Sequence, residues 1–232
     1  MTKFNQRPAD SEVEVPEVTF FWHGISCCEF VVDAVLEPAL FRRLGLAGER
    51  IRKSSIADGA INSYQSLGLY WNRPQFDREE LVESILSILD ECLSIDDAAC
   101  GATVHKHVVE VDYQGPDLAS VSDHCGLSPA EVIRRHVDGN YAVAAIGFMP
   151  NFAYLWGMDA GIATPRKASP RPRVPVGSLG IANDQTGIYP CESPGGWQLI
   201  GQVADRDCRK TCAQMRVGDV VQFVDSSGRS TC

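Results

Sequence analysis

Residues 147–201 read GFMPNFAYLWGMDAGIATPRKASPRPRVPVGSLGIANDQTGIYPCESPGGWQLIG. Glycine, proline, arginine and aromatic residues recur here at short intervals, whereas a packed helix or sheet repeats apolar residues at a period of about 3.6 or two. Because glycine and proline set backbone turns, the stretch predicts short strands joined by structured loops. Strands broken in this way are typical of a β-barrel rather than of a βαβ sheet.

The sequence changes character near residue 105, which predicts two domains in the 232-residue chain. We predict a mobile N-terminal lead at residues 1–16, a small α+β domain at residues 17–103 and a β-barrel domain at residues 104–232. The lead is polar and lacks the apolar region of a signal peptide, and no apolar run approaches the ~20 residues that span a bilayer. The sequence therefore predicts a cytoplasmic protein.

The formal net charge of the chain is −9. Nucleic acid and anionic membranes both require a basic surface, so this charge argues against either as the main partner. Local basicity is confined to the segment between Arg166 and Arg173.

The first domain alternates apolar stretches with a clear helix. FFWHG and CEFVVDAV predict strands, and AINSYQSLGLYW, residues 60–71, predicts one more. The helix that follows has Asp77 as its predicted N-cap and an apolar stripe from Leu81 to Leu89. This combination predicts a small α+β unit.

The second domain begins with HKHVVEVDY, a predicted strand from His105 to Tyr113. A short helical turn is predicted for Asp117 to Val121. The next helix starts after Ser128, a good N-cap, and ends near His136. Tyr141 to Phe148 predicts a strand of small residues.

The nine cysteines show neither paired zinc-knuckle spacings nor a redox CxxC, which favours reduced, structural thiols. Zinc bound by Cys208, Cys212 and a distant histidine is an alternative. His105 and His107 share one face of their strand, a spacing that suits metal ligation, but no third ligand is adjacent. Exposed strand histidines are the simpler interpretation, and we predict no metal site.

Arg166, Arg171 and Arg173 lie in a segment that several prolines stiffen. Proline keeps the preceding residue extended, so the guanidinium groups are held out with little entropy left to lose. Such groups suit a carboxylate or phosphate ligand. The alternative is a solvated loop whose arginines pair with local acids such as Glu192 and Asp184.

Gln185, Thr186 and Tyr189 offer an amide, a hydroxyl and a phenol beside a glycine that permits close approach of a ligand. These groups suit a small amide ligand. In the alternative interpretation Tyr189 is a half-buried barrel residue and Thr186 closes a turn.

Two further residues have both a structural and a functional interpretation. His136 ends a helix, where the dipole favours its protonated form, so it is either a poised acid or a structural histidine. Trp197 follows a tight turn, and the area that an indole buries favours a core position. No phosphate-binding G-x-x-x-x-G-K-[ST], no G-x-G-x-x-G and no recognisable Ser-His-Asp or Cys-His set is present, so no cofactor is assigned to this chain alone.

A series of motifs occurs in the order that one known family shows: Gly147-Phe148-x-Pro150-x-Phe152-x-Tyr154, Pro165-Arg166, Pro170-Arg171, Val174-Pro175-x-Gly177-Ser178, Gln185-Thr186-Gly187-Ile188-Tyr189-Pro190 and Ser193-Pro194-Gly195-Gly196-Trp197. The chain thereby resembles the family of KipI and of the B-type subunits of 5-oxoprolinases, also called allophanate hydrolase subunit 1 or carboxyltransferase subdomains C and D. The resemblance implies a ferredoxin-like N-terminal domain followed by a cyclophilin-like β-barrel. It also implies substrate contacts from eight residues: Phe148, Pro150, Tyr154, Arg166, Arg171, Gln185, Thr186 and Tyr189.

The resemblance implies a function as the B-type subunit of an ATP-dependent 5-oxoprolinase, which opens 5-oxo-L-proline to L-glutamate with A-type and C-type subunits. ATP, with Mg, is then expected at the level of the complex. Two alternatives remain open: a KipI-like regulator that inhibits a sensor histidine kinase, and a urea or allophanate-type carboxyltransferase component.

The chain departs from the usual family pattern at three places in this region. Asn151 stands where the family reads glycine after Pro150, and Asn183-Asp184 replaces a Gly-Gly pair. Gln202-Val203-Ala204 replaces Arg/Lys-Thr-Pro, which removes a cation near the expected site.

Overall fold

The computed structural model describes residues 15–96, 103–203 and 208–226. The chain separates into two compact units, Met1–Thr103 and Val104–Cys232. That each unit folds as an independent domain stays a prediction. Of the predicted N-terminal lead, residues 1–14 lie outside the described part, as do Cys100 and Cys232.

The first unit contains four antiparallel strands in the order β1-β2-β4-β3 and two helices. Its elements are β1 Glu17–Trp22, β2 Cys27–Asp33, α1 Pro38–Lys53, β3 Gly59–Ser63, β4 Ser66–Tyr70 and α2 Glu79–Leu93. The core combines alternate residues of the strands, such as Phe30, Leu67 and Leu69, with the apolar stripes of the helices, such as Leu44 and Ile85. Alternation along a strand and an apolar stripe along a helix are both typical of elements that bury one face.

The stretch AINSYQSLGLYW forms a hairpin, so the prediction of a single strand is wrong. β3 and β4 pair antiparallel from Gly59 opposite Tyr70 to Ser63 opposite Ser66. Tyr64 adopts a left-handed φ of 45° in the two-residue turn. A tight hairpin turn needs positive φ, but this turn contains neither glycine nor asparagine, so its residues carry no turn signal.

The N-cap prediction for α2 is also wrong. Arg78, not Asp77, precedes the first helical residue, and no side chain caps this helix end. The Arg78 guanidinium lies 4.3 Å from the centroid of the Trp22 ring and donates to the carbonyls of Gly24 and Gln75. Tertiary anchoring of Arg78 therefore fixes the helix start in place of a local cap.

The ferredoxin-like arrangement is not confirmed. The elements of the first unit follow one another as ββαββα, whereas a ferredoxin-like domain reads βαββαβ. The physical difference is that β1–β2 and β3–β4 are joined directly as antiparallel pairs rather than through helical crossovers.

The second unit contains a closed barrel of seven strands in the order β6-β13-β5-β12-β9-β10-β7, which closes because β7 also pairs with β6. Its strands are β5 Lys106–Asp112, β6 Tyr141–Ile146, β7 Ala153–Trp156, β9 Ser178–Ala182, β10 Gln185–Ile188, β12 Gln198–Val203 and β13 Val220–Asp225. Among the barrel strands that the structure describes, β5 and β13 are the one pair that runs parallel. The prediction of a β-barrel is confirmed.

A two-stranded sheet lies outside the barrel and consists of β8 Arg171–Val174 and β11 Ser193–Gly195. The second unit also contains a 3₁₀ turn at Ala160–Ile162 and the helices α3 Leu118–Cys125, α4 Pro129–Val137 and α5 Cys208–Gln214. The predicted cap of α4 is confirmed, because the Ser128 hydroxyl accepts from the Glu131 backbone N–H. Glu131 does not reach back but pairs with Arg134 and Arg135. These contacts lower the pKa of Glu131 to about 2.

The described cysteines are free thiols. Cys208 and Cys212 lie one helical turn apart in α5 and are buried, and their mutual hydrogen bond together with burial raises the pKa of Cys212. Among the described residues no three His, Cys, Asp or Glu side chains are grouped to hold a metal ion. In the same part of the chain, no helix has the length and apolar character to cross a membrane.

Candidate functional site

The barrel unit carries a pocket of about 260 Å³ that combines aromatic side chains, two cations and a Pro-Gly-Gly turn. Five site residues predicted from the sequence line it: Phe148, Tyr154, Arg166, Tyr189 and Trp197. The pocket is also lined by Phe152, Lys167, Pro170, Pro194, Gly195 and Gly196. Pro150 is exposed and Gln185 is half-buried at the start of β10, and neither lines this pocket.

The aromatic side chains form one packed cluster around Phe152. Its ring centroid lies 5.0 Å from that of Tyr154 and 5.3 Å from those of Tyr189 and Trp197, in T-shaped arrangements. Edge-to-face contacts are favourable because the positive ring edge meets the negative face of its neighbour. Trp197 is 5% exposed, so it belongs to the core and contributes to the pocket wall as well.

The Tyr189 phenol is held in place by the turn that follows it. Burial raises the pKa of Tyr189, while a hydrogen bond from the Trp197 backbone and the charge of Arg166 oppose this effect. Arg166 also opposes the burial effect that raises the pKa of Tyr154. The pocket therefore offers neutral phenols, with the charge of Arg166 acting on both and that of Arg171 acting on Tyr189 as well.

Replacing Gly195 with alanine is expected to lower the free energy of unfolding by about 1–3 kcal/mol, the usual cost of overpacking. A Cβ at this position would lie 2.5 Å from the Tyr189 hydroxyl oxygen, and Tyr189 is only 1% exposed and cannot swing away. Gly196→Ala is the matched control, because its Cβ meets nothing nearer than 3.7 Å. Chemical denaturation of both variants checks this, and equal stabilities would contradict the packing argument.

An exposed loop beside the pocket presents Phe148, which is 63% exposed and has a φ of 66°. Its ring meets that of Phe152 edge-on at 5.6 Å. Asn151 in the same loop has a φ of 66°. Asparagine tolerates the left-handed region better than other non-glycine residues, which suits Asn151 to this loop conformation.

The hairpin between β9 and β10 also contains an asparagine in the left-handed region. Asn183 has a φ of 53° and exchanges backbone hydrogen bonds with Thr164.

Arg171 is engaged inside the protein. Its guanidinium contacts both carboxylate oxygens of Asp117 at 2.5 Å and donates to the Trp197 carbonyl at 3.3 Å. Its side chain is 22% exposed, and Arg171 does not line the pocket. Arg166 is exposed and forms no hydrogen bond or ion pair with any residue that the structure describes. Arg173 pairs with Glu192 at 2.6 Å, as the solvated-loop alternative anticipates.

Asp117 supports the site although sequence reasoning does not predict it there. It precedes α3, and its buried carboxylate accepts from Arg171, from Lys167 at 3.1 Å and from the Leu199 backbone at 2.7 Å. The Lys167 backbone N–H also donates to the Gly196 carbonyl. Asp117 therefore fixes the proline and arginine segment and β12 together. No sequence signal identifies it, because Arg171 is 54 residues away.

Thr186 and His136 lie in the barrel interior, at 0% exposure each, rather than in the pocket. The Thr186 hydroxyl donates to the Gly180 carbonyl, so its oxygen accepts from His136 Nε2 at 3.0 Å. The Tyr113 hydroxyl then donates to His136 Nδ1 at 2.8 Å. Burial lowers the pKa of His136 to about 3. The network is thus neutral, which supports the structural interpretation of His136 over a poised acid.

Replacing Thr186 with valine is expected to destabilise the chain by about 1–3 kcal/mol, because the buried His136 Nε2–H loses its acceptor. Valine keeps the shape of threonine, so the loss reports on the two hydrogen bonds of the hydroxyl, with His136 and with the Gly180 carbonyl. Thr186→Ser restores the hydroxyl and should recover most of the stability. Equilibrium unfolding distinguishes them, and a valine variant as stable as the parent would contradict the assigned network.

His107 and Asp219 are hydrogen-bonded to each other. His107 Nε2 lies 2.8 Å from Asp219 Oδ2, and Asp219 also accepts from the backbones of His105 and Arg216. The carboxylate is nearly buried, and these contacts link β5 to the start of β13. The histidines that share a strand face are therefore used separately, one through its ring and one through its backbone.

Comparison with known proteins identifies a matching family. A model of the carboxyltransferase domain, subdomains C and D, matches residues 20–206. The B-type subunit of the 5-oxoprolinase of Bacillus subtilis (strain 168) is 46% identical over 129 residues, which cover 52% of the chain and 54% of that protein. Its namesake in Escherichia coli O157:H7 is 47% identical over 113 residues, covering 47% and 52%. The chain thus spans about half the length of the curated relatives that it matches.

Solved structures resemble nearly the whole chain. The crystal structure of TTHA0988 has a TM-score of 0.70 and 28% identity, and the match covers 93% of this chain and 41% of that chain. PH0987 from Pyrococcus horikoshii, described as a conserved uncharacterized protein, is 32% identical with a TM-score of 0.50, and 90% of this chain and 98% of that chain are covered. The K. lactis urea amidolyase is 13% identical with a TM-score of 0.70, and the match covers 96% of this chain and 16% of that chain. At this identity the likeness shows the fold alone.

Proposed function

The chain belongs to the carboxyltransferase domain family, subdomains C and D, and from this premise we propose that it is the B-type subunit of an ATP-dependent 5-oxoprolinase. The identity to proteins that carry this subunit name supports the proposal. In it, A-type and C-type subunits complete the enzyme in the cytoplasm, and the complex opens 5-oxo-L-proline to L-glutamate. The barrel is assigned as cyclophilin-like.

The aromatic pocket suits a small lactam. The apolar ring atoms of such a substrate would contact Phe152 and Trp197, and the phenols of Tyr154 and Tyr189 would flank its amide. An amide carbonyl gains negative charge when water attacks it, and a fixed cation stabilises that charge. Arg166 lines the pocket and has no partner among the described residues, so we assign this role to it.

Arg171 and Thr186 receive different roles from those that the resemblance implies. Arg171 supports the segment that carries Arg166 and Lys167 through its ion pair with Asp117. Thr186 completes the polar network inside the barrel. Both contribute to the shape of the pocket from behind, so they are proposed as positioning residues. Phe148, Tyr154, Arg166 and Tyr189 remain the proposed substrate contacts.

No nucleotide site is assigned to this chain, because its 232-residue sequence contains no phosphate-binding loop. We therefore derive no step through ATP here. In the proposal, nucleotide chemistry belongs to the assembled complex.

The purified chain alone is expected to turn over neither ATP nor 5-oxoproline, because it lacks a complete nucleophile set as well as a phosphate loop. Co-expression with A-type and C-type subunits should yield a complex that releases glutamate and consumes ATP. Coupled assays and a sizing column at micromolar concentration provide the measurements. Turnover by the isolated chain, or separate elution of all components, would count against the subunit assignment.

A KipI-like regulator is the second candidate, and the exposure of Phe148 favours it. A large aromatic side chain that is 63% exposed beside an apolar pocket is a feature of protein-binding surfaces. The test is autophosphorylation of a sensor histidine kinase with and without the chain. Inhibition that Phe148→Ala abolishes would support regulation, whereas kinase activity unchanged by a large excess of the chain would remove this candidate.

A further inference from the structure

A second cavity lies beside the aromatic pocket and has a different chemistry. Its volume is about 340 Å³, and it is bounded by α3 and by the segment that follows the Ala160–Ile162 turn. The polar side chains that line it are those of Ser120, His124, Thr164, Arg166, Lys167, Ser169 and Gln198. Arg166 and Lys167 line both cavities.

The lining side chains are mainly hydrogen-bond donors. Two are cationic, three more carry hydroxyls, and no carboxylate lines the cavity. Ser120 and His124 are four residues apart in α3, so they lie on the same face of the helix. The nearby carboxylate of Asp117 is paired with both Lys167 and Arg171. The single negative charge of Asp117 thus faces two positive charges, and Arg166 adds a third positive charge.

Gln198 adds an unsatisfied hydrogen-bond acceptor to the wall of this cavity. It is 8% exposed, and its Nε2 donates to the Pro165 carbonyl at 2.9 Å. That carbonyl only accepts, which fixes the orientation of the carboxamide. Gln198 Oε1 is buried and accepts no hydrogen bond from any residue that the structure describes. A buried acceptor without a donor is costly, so a ligand that supplies an O–H or N–H is favoured here.

We propose that this second cavity binds an oxyanion that carries a hydrogen-bond donor next to its charge. Two sources share that chemistry: hydrogen phosphate, and an α-amido carboxylate such as 5-oxoproline. Arg166, Lys167 and the Ser120 and Ser169 hydroxyls would donate to the oxyanion. The phosphate source is independent of the 5-oxoprolinase assignment, whereas the choice of 5-oxoproline as the amido carboxylate rests on that proposed function.

The test adds a negative charge to the cavity by Ser120→Glu and compares it with Ala119→Glu. Ala119 is exposed on the same helix and does not line the cavity. Both variants replace a neutral residue with glutamate, so they have the same net charge. Calorimetric titration of the whole chain at fixed ionic strength uses inorganic phosphate, 5-oxo-L-proline and acetate as probes. Ser120→Glu should raise the dissociation constant of the bound probe at least tenfold, and Ala119→Glu less than threefold.

The three probes identify the source. Saturable binding of phosphate alone assigns a phosphoryl group, whereas binding of 5-oxo-L-proline but not acetate assigns an amido carboxylate. Absence of saturable binding by both phosphate and 5-oxo-L-proline would overturn the proposal. So would an equal loss of affinity in the two glutamate variants. If Ser120→Glu melts below the parent by several degrees, Ser169→Glu at the opposite wall replaces it, with the same expected loss.

Discussion

Replacing Asp117 with alanine is expected to lower the free energy of unfolding by about 3–5 kcal/mol, the usual cost of removing one partner from a buried ion pair. The Asp117 side chain is 6% exposed and is paired with two cations. Its removal leaves Arg171, at 22% exposure, without its carboxylate. The Leu199 backbone N–H, which donates to Asp117, loses its acceptor as well.

Asp123→Ala is the matched control, because Asp123 is exposed on the same helix. Surface substitutions of this kind usually change stability by less than about 0.5 kcal/mol. Urea unfolding of both variants gives the comparison. If Asp117→Ala were as stable as Asp123→Ala, Asp117 could not be the anchor of the proline and arginine segment.

The dependence of stability on pH provides a second check on Asp117. Burial raises the pKa of Asp117, but hydrogen bonds from the Leu199 backbone, Arg171 and Lys167 outweigh it, so the pKa lies below its ordinary value. A carboxyl whose pKa is lowered by folding adds stability above its unfolded pKa of about 3.9 and loses it as pH falls through the folded pKa. The stability gap between the parent and Asp117→Ala should therefore narrow below about pH 4.

Replacing Arg166 with alanine is expected to reduce the activity of the reconstituted enzyme at least tenfold. A charge-assisted hydrogen bond to a ligand anion contributes roughly 1.5–3 kcal/mol, and about 1.4 kcal/mol corresponds to a factor of ten in rate. The melting temperature should scarcely change, because Arg166 is exposed and forms no hydrogen bond or ion pair with a described residue.

Arg173→Ala controls for the loss of a surface cation from the same segment. Arg173 is 76% exposed at its side chain, pairs with Glu192 and does not line the pocket. Its removal should leave turnover within about twofold of the parent. Arg171→Ala, in contrast, should lower stability. Full turnover by the Arg166→Ala complex would end the assignment of Arg166 to the substrate.

Much of the barrel could be predicted from local sequence. The alternation in HKHVVEVDY predicts β5, and Ser128 before Pro129 marks the start of α4, because hydrophobic period and capping depend on residues close in the chain. The short strands predicted from the glycine and proline turns of residues 147–201 are likewise present. Motif order implied eight substrate contacts, and four of them, Phe148, Tyr154, Arg166 and Tyr189, line one pocket in the structure.

Local signals failed where several elements meet. The hairpin at Tyr64 carries no glycine or asparagine, and the start of α2 depends on the stacking of Arg78 over Trp22. Neither feature has a signature in the neighbouring residues. Gly195 and Gly196 look equivalent in sequence, yet only the first faces the Tyr189 hydroxyl.

The sequence by itself determined the strand and turn pattern, the family motifs and the presence of a cationic, proline-stiffened segment. Only the tertiary structure decided which side chains of that segment face the pocket. Thr186 points into the barrel because closure of the sheet fixes the inner face of β10, and successive residues of a strand face opposite sides. Arg171 turns to Asp117, 54 residues away, because a buried carboxylate needs a cation. Both outcomes depend on contacts between residues distant in the chain, which local periodicity does not encode.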